Sequence, residues 1–345
     1  MFEEQLATEL SARKHALVAA LAEQADWGGP ASEVRAGLEV VLDDFAVAVA
    51  LRSAGLLDRA FGWWKVRVRS LGGDAAAAVE LPQRIASLLA ERAPGCLQPD
   101  VLSLLEHAGS YVAYAPDVAR TGAALHPSLA AGGLAHRVVL ALLGGDRIAI
   151  GALVADDVRS PAALLAEGFE PALREIGARW HNGKMDPSVE HVASRLAHEF
   201  IARLGRRVPA PPQDAPLVAL LRVQGDDHSL GQDCLRVHLA TAGLRARALS
   251  AEGAGASLLE VLAGVGASAV AVSCMLPAQL PAAREVVRSI RRAPQLGALP
   301  VLVGGGMFRD VPQLATQLGA DATAVDGRSA AEELAHLLLG PGVAR

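Results

Sequence analysis

Between residues 208 and 216 the chain reads Val208-Pro209-Ala210-Pro211-Pro212-Gln213-Asp214-Ala215-Pro216, and no other segment restricts its folding as much. Four prolines in nine residues can continue neither a helix interior nor a central strand, because proline lacks the N–H and has a locked φ. The segment therefore predicts a stiff, extended connector. The residues before it carry helical periodicity. Those after it alternate short apolar runs with amphipathic stretches.

After the connector, Leu217 to Val223 fits a buried parallel strand, and the polar loop from Gln224 to Gly231 leads into a helix ending near Gly243. Ala246 to Leu249 reads as a weak second strand and Ala269 to Ser273 as a strong third. Pro300 to Val303 gives a fourth, closed by Gly304-Gly305-Gly306, and Asp321 to Val325 a fifth, followed by a helix from Ala330 to Leu339. Strands alternating with helices predict an open, doubly wound α/β domain of the Rossmann-like, flavodoxin-like kind over residues 217–345. Ligands of such sheets lie outside the carboxyl ends of the strands. The loops beginning at Gln224, Cys274, Gly304 and Asp326 are thus expected on one face.

Before the connector, Ala135 to Leu143, Arg147 to Val158, Leu164 to Gly177 and Pro187 to Leu204 form apolar-faced segments with short turns between them. They predict a four-helix bundle over residues 126–207. Residues 1–125 are expected to form a further helical domain, punctuated by Gly28-Gly29-Pro30, Gly72-Gly73 and Ala93-Pro94-Gly95. The fold class is therefore a mainly α N-terminal half followed by an α/β domain.

Apolar residues make up 52% of the chain, which raises the question of a membrane span. No uninterrupted apolar stretch approaches the roughly 18 residues a span needs. The acidic start Met1-Phe2-Glu3-Glu4 lacks the features of a signal peptide, so a cytoplasmic protein is expected. A net charge of −5 without a basic stripe argues against direct nucleic-acid binding. Cys96, Cys234 and Cys274 match no paired framework or zinc spacing and read as buried small hydrophobes.

The residues that carry chemistry begin at Gly225-Asp226-Asp227-His228-Ser229-Leu230-Gly231, after the first predicted strand. An imidazole there projects into the ligand crevice and suits a transition metal. Asp226 is placed to fix its tautomer and raise its basicity, and Gly231 lets a bulky ligand approach the backbone. Taken alone the stretch is equally an exposed polar loop.

In company it is more specific. Asp226-x-His228-x-x-Gly231 resembles the cobalamin-binding motif shared by methionine synthase, corrinoid methyltransfer proteins, several mutases and cobalamin photoreceptors. Ser273 after the third strand and Gly304-Gly305 after the fourth follow in the family's order, with Met275 where leucine is usual. The resemblance implies that His228 replaces the cofactor's own benzimidazole on cobalt. It also implies that the freed nucleotide tail enters the α/β domain.

A second set lies in the bundle: Trp180-His181, then Glu190-His191, with nine residues between Trp180 and Glu190. Trp180 alone would read as core packing and His181 as a solvated loop residue. As a set they resemble the cap of cobalamin photoreceptors of the CarH type. That resemblance implies that Trp180 covers the adenosyl face of adenosylcobalamin and that Glu190 and His191 surround the same pocket. It also implies that His181 moves onto cobalt after light. The chain would then be a light sensor without catalytic output, acting as a homo-oligomer or through a separate signalling partner. The alternatives are a corrinoid methyl carrier for a separate methyltransferase, or a dark cobalamin-responsive regulator.

The N-terminal domain lacks the DNA-binding module of those receptors. Its Trp63-Trp64, His107, Tyr111, Tyr114 and His126 read as core or interface residues. In architecture the chain is also similar to photocobilins, which add a linear tetrapyrrole such as biliverdin. Cys96, His107 and Tyr111 would be its candidate contacts.

Overall fold

The computed structural model describes residues 2–114, 127–181, 185–250 and 256–340. It separates into two compact units, residues 1–122 and 123–345. His126 lies outside the described residues. Among the described residues, no helix is long and apolar enough to cross a membrane.

The first unit is helical, with α1 (Phe2–Glu23), α2 (Ala31–Leu51), α3 (Ala54–Ser70), α4 (Ala75–Arg92) and α5 (Pro99–Tyr114). Its core gathers Leu38, Phe45, Phe61, Trp64 and Leu81. Gly37 makes room for Trp64, since a Cβ there would sit 2.3 Å from the indole ring. Trp27 meets Trp64 edge-on at 5.5 Å between ring centroids. Of the residues considered for a tetrapyrrole, Cys96 is fully buried and burial raises its thiol pKa, which makes it a poor nucleophile. His107 bonds Asp58 at 3.1 Å.

Asp44, on α2, is a buried carboxyl that accepts a hydrogen bond from Arg59 at 3.2 Å. Burial pushes it up to about 7, outweighing the pull of Arg59 downwards. The unfolded chain ionises this group near pH 4, so the folded state binds the extra proton between about pH 4 and pH 7. Its contribution to stability is complete below that window and declines as pH rises through it. When urea midpoints at pH 5 and pH 7.5 are compared, Asp44→Asn should flatten the decline by an amount on the order of 1–3 kcal/mol.

The second unit begins with the helical cap: α6 (Leu134–Leu143), α7 (Arg147–Asp156), α8 (Pro161–Leu164), α9 (Glu170–His181) and α10 (Pro187–Gly205). A π-helical turn, Leu165–Phe169, joins α8 to α9 where periodicity predicts an unbroken α-helix. The widened turn lets Leu164, Leu165, Gly168 and Phe169 all face the core. Gly168 permits this by seating against Leu134, 3.0 Å from where a Cβ would stand. At the head of α10 the Asp186 carboxylate accepts the Ser188 amide and Pro187 occupies the first helical turn.

The α/β part follows with β1 (Leu217–Arg222), α11 (Leu230–Thr241), β2 (Arg245–Ser250), α12 (Ala256–Gly264) and β3 (Ala269–Ser273). It continues through α13 (Leu280–Arg292), β4 (Val301–Gly304), α14 (Gly306–Asp310), α15 (Leu314–Leu318), β5 (Ala322–Thr323) and α16 (Gly327–Leu339). All strand pairs are parallel, in the order β2-β1-β3-β4-β5. This is the doubly wound class, with a helical half before it. The second strand is six residues long and pairs with β1 along its whole length, although its sequence looks weak. Arg245 and Arg247 interrupt its hydrophobic pattern because this is an edge strand. The cap core continues into this part, since Cys234 and Val237 of α11 belong to the same buried cluster as Phe169 and Phe200.

Candidate functional site

Strand order reverses between β1 and β3, and open α/β sheets bind ligands at that point, outside the carboxyl ends. Register aligns Arg222 with Ser273 and Ser273 with Gly304, so the loops after β1, β3 and β4 emerge side by side. The residues 224–231, 273–276 and 304–306 singled out from the sequence share this edge.

The loop after β1 turns tightly. Gly225 adopts φ +79°, and the Asp226 amide bonds the Val223 carbonyl at 3.0 Å. The turn buries the Asp226 side chain completely while that of His228 stays 52% exposed. Asp226 Oδ1 accepts both the His228 amide, at 3.0 Å, and imidazole Nδ1, at 2.8 Å. With Nδ1–H committed to the carboxylate, Nε2 carries the lone pair. The Asp226 hydrogen bond, ahead of the opposing effect of burial, raises the His228 pKa; Asp226, Asp227 and Glu190 add attraction. A strengthened base is a strengthened metal ligand.

Glu190 is half-buried on α10 and accepts from Ser194, whereas His191 is exposed, 3.8 Å from Glu190. Among the four residues of the Trp180-His181, Glu190-His191 set, Glu190 is therefore the one with a described link to His228, through its charge. The helix α9 ends at His181, but the side chains of Trp180 and His181 lie outside the described residues. Gly231 faces open space, where an added Cβ meets nothing within 4 Å. Gly305 does the opposite. It has φ +103°, and a Cβ there would stand 2.4 Å from the Cys274 carbonyl oxygen. Met275, which replaces the usual leucine, offers its sulfur to the Gly306 amide at 3.3 Å.

Three contacts join segments that sequence reading leaves unrelated. Gln279 is buried; its Oε1 accepts from the Met275 and Leu276 amides and its Nε2 donates to the Gly225 carbonyl, each at 2.9 Å. His198 of α10 bonds Asp233 at 2.8 Å through Nδ1 and Ser229 at 3.4 Å through Nε2, tying the cap to the first turn of α11. Glu170 of α9 meets His238 at 2.8 Å in a buried pair closed over by Gly327, whose Cβ would lie 2.7 Å from Glu170 Oε1. A polar glutamine inside Leu276-Pro277-Ala278-Gln279-Leu280 is the one available hint; the two histidine pairs have none.

Beside the loop lies a cavity of about 460 Å³ whose walls include Asp226, Ser229, Gln232 and His198. Asp226 Oδ2, Gln232 Nε2 and, at the end of β5, Thr323 Oγ1 are buried without hydrogen-bond partners. Unpaired buried polar atoms are costly, and such groups mark places where a ligand supplies the partner. Among the described residues no cluster of three or more His, Cys, Asp or Glu could hold a bare metal ion. One oriented imidazole suits a metal that arrives with its other donors in a macrocycle. The donor set, the glycine edge and the orphaned polar atoms all fit a corrinoid.

Fold and site thus define an open α/β sheet whose carboxyl edge presents one oriented, half-exposed imidazole, that of His228. Residues 134–204 match the family model described as B12 binding domain, and residues 216–335 match a second model of the same description. The chain carries both domains and is a cobalamin-binding protein. It is 22% identical over 197 residues to dimethylamine corrinoid protein 2 of Methanosarcina acetivorans, covering 56% of this chain and 90% of that protein. It is 22% identical to dimethylamine corrinoid protein 1 of Methanosarcina mazei, over 54% of this chain and 86% of that one. Among solved structures it is similar to the monomethylamine corrinoid protein of Methanosarcina barkeri, with 14% identity and a TM-score of 0.49 over 58% of this chain and 96% of that one.

Proposed function

We propose that this chain is a corrinoid carrier, in which His228 would ligate the cobalt of a cobalamin that serves a separate methyltransferase. The observation that carries the reading is the His228–Asp226 pair, a half-exposed imidazole whose Nδ1 is locked by a buried carboxylate. The named corrinoid relatives support the carrier role. When bound, cobalamin supplies a cobalt–carbon bond from which an alkyl group can be handed on. Asp226 keeps the His228 tautomer; Ser273, Gly304 and Gly305 would hold the cofactor's nucleotide tail, and the open space at Gly231 would admit the bulky group.

A specific observation favours a second reading, that of a light sensor using adenosylcobalamin. The spacing Trp180-His181 to Glu190-His191 resembles that of a photoreceptor cap, and the matched domains leave the N-terminal helical unit outside them. In this reading Trp180, Glu190 and His191 would border the adenosyl group, His181 would supply a replacement donor, and the signal would pass to a homo-oligomer or a separate partner. Loading the protein in the dark with methylcobalamin or adenosylcobalamin, then measuring hydrodynamic size before and after green light, separates the two. The carrier keeps one size throughout. A light-dependent size change confined to the adenosyl form would replace the carrier by the sensor.

A further inference from the structure

We infer that Gln279 is a positioning residue for the cobalt ligand, a role that rests on the assignment of His228 to cobalt. Its side chain is a buried bridge between two of the loops at the carboxyl edge. Oε1 gathers the amides of Met275 and Leu276, and Nε2 grips the carbonyl of Gly225. Gly225 is the residue immediately before Asp226, and its left-handed conformation sets the direction in which Asp226 and then His228 leave the strand. The backbone beyond is held by the Asp226 amide on Val223 and by Arg222 Nη1 on the Asp226 carbonyl at 3.2 Å. Gln279 is the link from this turn to the loop after β3, which in turn abuts Gly305 and, through Met275, Gly306.

The chemistry of the bridge requires an amide. A carboxylate in its place keeps the acceptor for Met275 and Leu276 but has no donor for Gly225, and it sets negative charge against a carbonyl oxygen. A methionine fills the same space and makes neither contact, leaving two amides and one carbonyl without their partner. Gln279→Glu thus releases the His228 loop selectively, while Gln279→Met releases both loops. A side chain that merely stabilised the fold would lower the melting temperature in both variants without loosening the His228 loop in particular.

The test compares wild type, Gln279→Glu, Gln279→Met and His228→Ala at pH 8. In cofactor-free protein, amide hydrogen exchange over residues 224–229 should rise about tenfold in Gln279→Glu and stay low in His228→Ala. With methylcobalamin as the probe, Gln279→Glu should lower affinity about tenfold and reduce the fraction showing an imidazole-ligated spectrum, with added free imidazole restoring that spectrum. Gln279→Met should show the same two effects, so that either folded variant decides the matter. Unchanged exchange at 224–229 together with wild-type affinity in either variant overturns the role of Gln279. If His228→Ala itself keeps the wild-type spectrum, the cobalt assignment falls, whereas the exchange result still reports whether Gln279 orders the loop.

Discussion

His228→Ala is expected to abolish the imidazole-ligated spectrum of bound methylcobalamin and to weaken binding by about 100-fold or more. Loss of groups that only support a metal ligand already costs about 10–100-fold, and here the ligand itself is removed. The fold should survive. The Asp226 Oδ1 contact with the backbone amide at 228 does not depend on the imidazole, and the histidine side chain is half-exposed. Absorption spectra and a binding titration check this directly. A His228→Ala variant with undiminished affinity and an unaltered spectrum would place the cobalt ligand elsewhere.

The second large effect is on stability. Gly305→Val should lower the melting temperature of the cofactor-free protein by roughly 6–12 °C, equivalent to about 3 kcal/mol for a unit of this size. Gly305 has φ +103° and ψ −176°, a region that only glycine occupies readily. Beyond that strain, a Cβ would press to 2.4 Å from the Cys274 carbonyl, a backbone atom that cannot swing away. Gly231→Ala is the control, because open space surrounds that position. Its cofactor-free stability should be close to wild type. Thermal unfolding followed by circular dichroism distinguishes the pair, and equal melting temperatures would show that the close approach at Gly305 is not maintained.

Much of the architecture is legible in the chain because it rests on local rules. Alternation of apolar runs with amphipathic segments after Pro216 specifies a parallel sheet, since parallel neighbours need crossover helices. The second strand is the instructive exception. Its pattern is broken by Arg245 and Arg247, which an edge strand tolerates and a central one does not. The π-helical turn at Leu165–Phe169 is also hidden, because an unbroken helical period describes the same apolar residues almost as well.

The site divides in the same way. Asp226 and His228 can be found because their contact spans only two residues, so the spacing along the chain already records it, and Gly231 follows at the start of the next helix. The order of residues is enough to specify the helical and α/β halves, the loop that carries the imidazole, and the glycines after β4. Three bridges exist only once the elements have packed: Gln279 grips Gly225 across 54 residues, Glu170 meets His238 across 68, and His198 reaches Asp233 across 35. Hydrogen bonds along a helix or within a turn repeat at fixed spacings and so leave a period in the chain. A bridge between two elements depends on how those elements pack, and no spacing of residues records that.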